Sequence, residues 1–249
     1  MNQIDYVGTE LDLFANALNW KSYWSSLVTP FVRGRVLDVG AGIGATMQTL
    51  APRVTAEWTA IEPDACLADR IRALIACAEL PGSARVITGT LDDIAAHERF
   101  DTILYIDVLE HIEDDQGELA RAVARLAPGG HLIVLAPAHQ WLYSPFDRAI
   151  GHFRRYGRSQ LQSLVPPLLK VEHLRYLDAA GLFASLANKW MLRTSAPTPA
   201  QIAVWDRLLV PISTKLDSVM RWHVGKSLLL VCSMDEDPPM KTPSLDRHE

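Results

Sequence analysis

Short apolar runs alternate with amphipathic stretches across the first two thirds of the chain. Arg35-Val36-Leu37-Asp38-Val39 is an almost continuous apolar run that ends at glycines, the pattern of a strand buried on both faces. Similar runs fall at 57–61, 84–88, 101–106 and 131–135. Helix patterns separate them at 45–51, 65–78 and 116–126. In the second of these, Cys66, Ile71, Leu74, Ile75 and Ala78 approximate one face, with Asp69, Arg70 and Arg72 outside it. Such alternation predicts a parallel sheet with helices on both sides.

Ala127-Pro128-Gly129-Gly130 reads as a turn that stops a helix and releases the strand at 131–135. The rhythm then changes. Residues 139–168 are rich in aromatics and arginine, and 170–177 reads as a sixth strand. Residues 178–225 read as amphipathic helix interrupted at Pro197, Pro199 and Pro211, and 226–233 as a last strand. From Asp235 onward prolines sit among charges, which predicts a disordered tail. The expected organisation is an N-terminal helical cap (1–34), an α/β domain (35–234) carrying a helical insertion (178–225), and the tail (235–249).

Composition narrows this picture only modestly. Hydrophobic residues make up 49% of the 249 positions and charged residues 21%, so a full apolar core is available. The net charge of −5 argues against nucleic acid as the main partner, because phosphate binding needs a basic surface. Cys66, Cys77 and Cys232 are far apart and form no C-x-x-C pair, so neither a disulfide framework nor a metal site is expected. The N-terminus lacks a signal-peptide core and no apolar run reaches the length of a membrane span. The chain reads as soluble and cytoplasmic.

The candidate chemistry starts at Asp38-Val39-Gly40-Ala41-Gly42-Ile43-Gly44. A strand, a Gly-x-Gly-x-Gly loop and a helix place backbone N–H groups beside a ligand, and glycine lets that ligand approach closely. The loop alone also satisfies the dinucleotide pattern G-x-G-x-x-G/A, through Ala45. Glu62 ends the second strand 22 residues after Gly40, the spacing at which an acid reaches ribose hydroxyls. Asp38 tilts the choice of ligand. A carboxylate there suits the ammonium and sulfonium of S-adenosylmethionine (SAM) and repels a pyrophosphate, although a backbone N–H or a water would serve Asp38 equally well.

At this point the chain resembles the class I SAM-dependent methyltransferases of small-molecule type. Five segments carry the resemblance, in order across roughly 35–138: Val36–Gly44, Ala60-Ile61-Glu62-Pro63-Asp64, Phe100-Asp101-Thr102-Ile103-Leu104, Val108-Leu109-Glu110-His111-Ile112 and Leu126-Ala127-Pro128-Gly129-Gly130. The resemblance implies a Rossmann-like, doubly wound seven-stranded sheet, mostly parallel with the last strand antiparallel. SAM would lie across the carboxyl edge of that sheet. Asp38, Gly40 and Gly42 would then surround the methionine part, Glu62 the ribose and Pro63 the adenine. Ile106 and Asp107 would lie below the donor sulfur. The acid that often follows the third strand is replaced by Thr90, leaving Thr90, the Leu91 backbone or Asp92 for the adenine amino group. Stretches similar to 144–156 occur in bacterial methyltransferases associated with cell-envelope or glycan functions.

Methyl transfer is an in-line displacement on an activated carbon, so the protein mainly aligns the nucleophile and excludes water. A base is needed only if the acceptor loses a proton near the transition state. His111 is the first candidate base, against a plain packing role under the cofactor. Tyr143 and His152 are further catalytic candidates, with His139 and Asp147 beside them on the expected acceptor side. Arg154, Arg155 and Arg158, with Tyr156, form a basic patch suited to an anionic acceptor. An internal ion pair with Asp147 is the competing reading. Trp20, Tyr23 and Trp24 suggest a lid or ordinary packing. Trp190, Trp205 and Trp222, with Lys189, Arg193, Arg207 and Arg221, suggest a lid, a homodimer surface or peripheral contact with an anionic membrane, a case diluted by Asp206 and Asp217. Two other classes of function stay in play: an NAD-dependent oxidoreductase and a non-catalytic SAM-binding regulator.

Overall fold

The computed structural model describes residues 10–191 and 197–236. Residues 1–9 of the expected cap, Arg193, and 237–249 of the expected tail lie outside the described residues, as do the side chains of Lys189 and Trp190.

Seven strands form one sheet in the order β3-β2-β1-β4-β5-β7-β6. They are β1 (Gly34–Val39), β2 (Ala56–Glu62), β3 (Arg85–Thr88), β4 (Phe100–Ile106), β5 (Leu126–Pro137), β6 (Leu169–Leu177) and β7 (Ser227–Met234). All neighbouring pairs from β3 to β5 are parallel. β7 alone runs antiparallel, between β5 and β6. The Rossmann-like sheet with its antiparallel last strand is therefore present. Helices α1 (Glu10–Phe14), α2 (Leu18–Val28), α3 (Ala45–Leu50), α4 (Ala65–Ala76), α5 (Asp115–Val123), α6 (Pro145–Ala149) and α7 (Arg158–Ser163) precede β6. Helices α8 (Ala179–Met191), α9 (Pro199–Val204) and α10 (Val210–Val219) come between β6 and β7.

Successive residues of the central strands feed opposite cores. Leu37, Ile103 and Leu132 pack on one side of the sheet, while Val36, Leu104 and Ile133 pack on the other. Helices on both faces explain why these strands read as continuous apolar runs. Trp20, Tyr23 and Trp24 of α2 are buried in the second core, which is the packing reading rather than a lid.

Two local expectations need correction. Leu126–Gly130 belongs to β5 rather than to a turn. The register between β4 and β5 shifts between Phe100 and Thr102, and Gly129 takes φ +73°, so the Pro-Gly-Gly run marks an irregularity inside a strand. Pro211 does not interrupt its helix either. A π-turn at Trp205–Leu209 joins α9 to α10, with the Val210 N–H donating to the Trp205 carbonyl. Widening the helix just ahead of Pro211 relieves the clash a proline makes with the turn before it.

Candidate functional site

The sheet order reverses its direction of travel between β1 and β4, and ligands of open α/β sheets bind at such a switch point. A cleft of about 570 Å³ opens there, within the ~300–1,000 Å³ range of small-molecule sites. Its walls come from the loops after β1, β2, β3 and β4, from α1 and from the segment 150–153.

After β1 the chain enters the cleft through Gly40 and Gly42, with φ of +61° and +56°. A Cβ on Gly40 would meet Val108 Cγ1 at 2.7 Å, so both conformation and space demand glycine. Glu62, at the end of β2, accepts hydrogen bonds from Gly42 N–H (2.8 Å) and Asp64 N–H (3.0 Å). Burial raises its pKa, and those two N–H groups oppose the rise. Asp38 is buried at the end of β1 with Oδ2 unpartnered. Burial, then the nearby Glu62 charge, pushes its pKa up to about 8. An orphaned buried carboxylate oxygen beside a glycine loop with no room for a Cβ fits a cationic ligand with a diol, as SAM is.

Pro63, Thr90 and Leu91 also line the cleft, as does the exposed Asp92. Thr90 N–H donates to Asp93 Oδ2 at 2.9 Å, so that amide is committed locally. On the β4 side, Asp107 lines the cleft with φ +54°. Its side chain opens to the cleft, but dense protein around it raises its pKa against the pull of Lys226 and Arg155. Ile106, half-buried, is not part of the wall.

His111 ends a 3₁₀ turn at Leu109–His111 and lines the cleft. Burial, then the neighbouring His152, lowers its pKa to about 4, which keeps the ring neutral. Its ring meets that of His152 edge-on, with centroids 4.5 Å apart. His152 Nδ1 lies 3.2 Å from Asp147 Oδ1, and its Nε2 lies 3.9 Å from Glu110 Oε1. Glu110 is fully buried, and neither carboxylate oxygen has a hydrogen-bond partner. Burial, then the charge of Asp107, drives its pKa well up.

The remaining acceptor-side candidates are turned inward. Arg155 Nη2 pairs with Asp147 at 2.7 Å. Burial raises the Asp147 pKa, but the His152 hydrogen bond and the Arg155 charge outweigh this and hold it well below the usual carboxylate range. Arg154 pairs with Asp115 and donates to the Glu113 carbonyl. Tyr156 is fully buried, its hydroxyl donating toward Leu109 O and Asp115. Tyr143 donates to the His152 carbonyl at 2.6 Å. His139 stacks on Tyr176 and places Nε2 2.9 Å from the Gly225 carbonyl. None of these six lines the cleft. Arg154 and Arg155 of the basic patch read from the sequence are built into an internal ion-pair network, the competing reading of those arginines.

The sequence reading missed Leu11, Gly151 and Phe153, which close the cleft from distant parts of the chain. It also missed the Glu118–Arg121 ion pair (2.8 Å) on the cleft wall. An Asp/Glu–Arg spacing of three on a helix was the available signal for that pair.

Comparisons with known proteins agree with this geometry. The family model for a methyltransferase domain matches residues 19–184. A ubiquinone biosynthesis O-methyltransferase of Rhodopseudomonas palustris (strain HaA2) is 29% identical over 170 residues, which cover 64% of this chain and 65% of that relative. The chain thus spans a little under two thirds of that curated relative. Among solved structures, a putative sarcosine dimethylglycine methyltransferase from Galdieria sulphuraria superposes with a TM-score of 0.59 at 15% identity, over 88% of this chain and 86% of that one. The [4+2]-cyclase SpnF superposes at 0.61 and 16% identity, over 93% and 96%. These two likenesses show the fold alone. With the family model matching well over half of it, the chain belongs to the methyltransferase domain family, the class I SAM-dependent methyltransferases.

Proposed function

We propose that this protein transfers a methyl group from SAM to a hydroxyl oxygen of a small-molecule acceptor. The observation that carries the reading is the cleft itself, lined by the Gly40–Gly42 turn and Glu62 on one side and His111 on the other, with the orphaned Asp38 carboxylate buried at the end of β1 just before that turn. Asp38 and the loop amides would hold the amino acid end of SAM, Glu62 the ribose, and Pro63, Leu91 and Asp92 the adenine end. When bound, SAM would supply a sulfonium-activated methyl group, the acceptor hydroxyl giving up its proton to water as S-adenosylhomocysteine leaves. The protein's share is alignment and exclusion of water, to which apolar Ile112, Ile150 and Phe153 contribute from the cleft wall. Asp147 fixes His152, which in turn packs against His111, so the acceptor would meet a preset edge of neutral imidazole. Oxygen is favoured as the acceptor atom because relatives such as the Rhodopseudomonas protein are named O-methyltransferases. An anionic acceptor gains no support, since Arg154 and Arg155 are already paired. A glycan or envelope acceptor rests only on the likeness of residues 144–156.

The test is incubation with methyl-labelled SAM and a panel of phenols, catechols and hydroxylated lipids. Label should enter a low-molecular-weight product and yield S-adenosylhomocysteine in equal amount. Failure to bind SAM in calorimetry would end the reading.

A specific observation also favours action at an anionic membrane surface. The outer face of the α9–π–α10 helix exposes Val204, Leu208, Pro211, Ile212 and Val219, interspersed with Arg207 and Lys215. The acids thought to dilute this face are buried on the inner side: Asp206 is 4% exposed and Asp217 is 0%. No exposed acid remains among the described residues of this helix, in a chain whose net charge is −5. Among the described residues no helix is long and apolar enough to cross a membrane, so any such contact is peripheral.

A further inference from the structure

The cluster of Glu110, His111 and His152 has no counterpart in the reading of the sequence, from which no metal site was expected. Each residue offers one ligand atom, and these atoms lie within 4.8 Å of one another. Burying a carboxylate with both oxygens unpartnered is costly, and Glu110 is buried in that way. One of them, Glu110 Oε1, sits 3.9 Å from His152 Nε2. His152 is also prepared at its other nitrogen, with Nδ1 against Asp147 and Asp147 anchored by Arg155 and Ser144. A ligating histidine commonly donates its second N–H to a carboxylate, which fixes the tautomer and directs the free nitrogen to the ion. Tyr143 holds the His152 carbonyl, and Phe153 N–H donates to the Glu110 carbonyl at 2.8 Å. These bonds tie the two chain segments of the cluster together.

We propose that Glu110, His111 and His152 form a binding site for a divalent transition-metal ion, Zn²⁺ by donor set, on the acceptor side of the cleft. Two imidazoles and one carboxylate make a set that zinc enzymes use while keeping a position open. Zinc ligand atoms lie about 2.0–2.2 Å from the ion, so the three atoms, within 4.8 Å of one another, would draw together by side-chain rotation on binding. His111 and Gly151 line the cleft, and on that side the open position would receive the acceptor oxygen. The ion would lower the pKa of that hydroxyl, whose proton passes to water, leaving an alkoxide or phenoxide as nucleophile. Ion binding itself does not depend on the methyl-transfer reading; only this role does.

The test uses the full chain stripped with chelator, then dialysed against ZnCl₂ alone and, in parallel, CoCl₂ alone. Elemental analysis is expected to find one ion per chain. The Co²⁺ form should show visible absorption of a four- or five-coordinate site. Glu110→Gln and His152→Gln should each weaken binding by at least about 100-fold, and Asp147→Asn, acting through His152, by about 10–100-fold. His139→Gln, outside the cluster, should change nothing. A wild-type chain that retains no ion overturns the proposal, and so does an ion whose affinity is the same in Glu110→Gln and His152→Gln. Because wild-type stoichiometry and absorption are decisive alone, a variant that fails to fold does not protect the idea. SAM calorimetry on the same stripped protein separates failure of the ion site from failure of the methyl-transfer reading.

Discussion

Asp38 shows what a single buried side chain costs and what it prepares. Its pKa is raised to about 8 by burial and then by Glu62, against an unfolded value near 4. Between those values the folded state binds more protons than the unfolded one, so this group makes stability fall as pH rises from about 4 to about 8. Asp38→Asn removes that penalty. The ligand-free variant should therefore melt higher than the wild type at pH 8 by a few degrees, corresponding to about 1 kcal/mol or more, and the gap should narrow towards pH 4. Its SAM affinity should fall at least tenfold by calorimetry. A variant that is both less stable at pH 8 and unchanged in affinity would place the carboxylate's role elsewhere. Glu62→Ala should also weaken SAM binding, and by more than loss of ribose contacts alone, because it frees the Gly42 and Asp64 amides from their acceptor. Arg155→Ala leaves Asp147 buried without its guanidinium and should cost about 3 kcal/mol in denaturant unfolding; the sequence left this arginine between an anionic acceptor and that ion pair.

At the scale of elements, the insertion is stitched to the rest of the fold by its acids. Asp206, in the π-turn, accepts from Asn19 N–H, Asn19 Nδ2–H and Trp20 N–H at the first turn of α2. It caps a helix that carries no cap of its own. Asp217 of α10 accepts from Tyr23 Oη–H and from the Asp178 and Ala179 amides at the start of α8. Asp206→Ala should cost about 1–2 kcal/mol, read as an earlier urea midpoint, with accelerated hydrogen exchange concentrated in residues 18–28. Uniform exchange across the chain would show that α2 does not depend on that cap. Strand positions and helix positions up to β5 were legible in the sequence because burial on both faces and the helical period are local patterns. The π-turn was not, since Pro211 alone signals a break and nothing nearby in sequence reports the widened turn ahead of it.

For the whole molecule, the distribution of charge matters more than its sum. An acidic chain turns one helix face outward with bases, apolar groups and a few uncharged polar residues but no exposed acid among the described residues, which suits an anionic bilayer. In flotation with vesicles containing phosphatidylglycerol, the wild type should co-migrate, and binding should weaken as salt rises. The double substitution Leu208→Glu and Ile212→Glu should abolish it while leaving SAM affinity intact. Concentration-dependent dimerisation lost in the same variant, without vesicle binding, would assign the face to a second copy instead.

The sequence by itself determined the alternation of strands and helices up to β5 and the glycine turn after β1, while the antiparallel last strand was what the resemblance to the methyltransferases implied. The first two follow from periodicity and from glycine's conformational freedom. The tertiary structure alone decided which charged groups face the ligand and which face each other. Arg155 meets Asp147, Arg154 meets Asp115, and Asp206 and Asp217 turn inward. It also brought His152 to Glu110 and His111, about forty positions earlier in the chain. Such pairings depend on the path of the backbone between the partners, and no local pattern of residue types encodes that path.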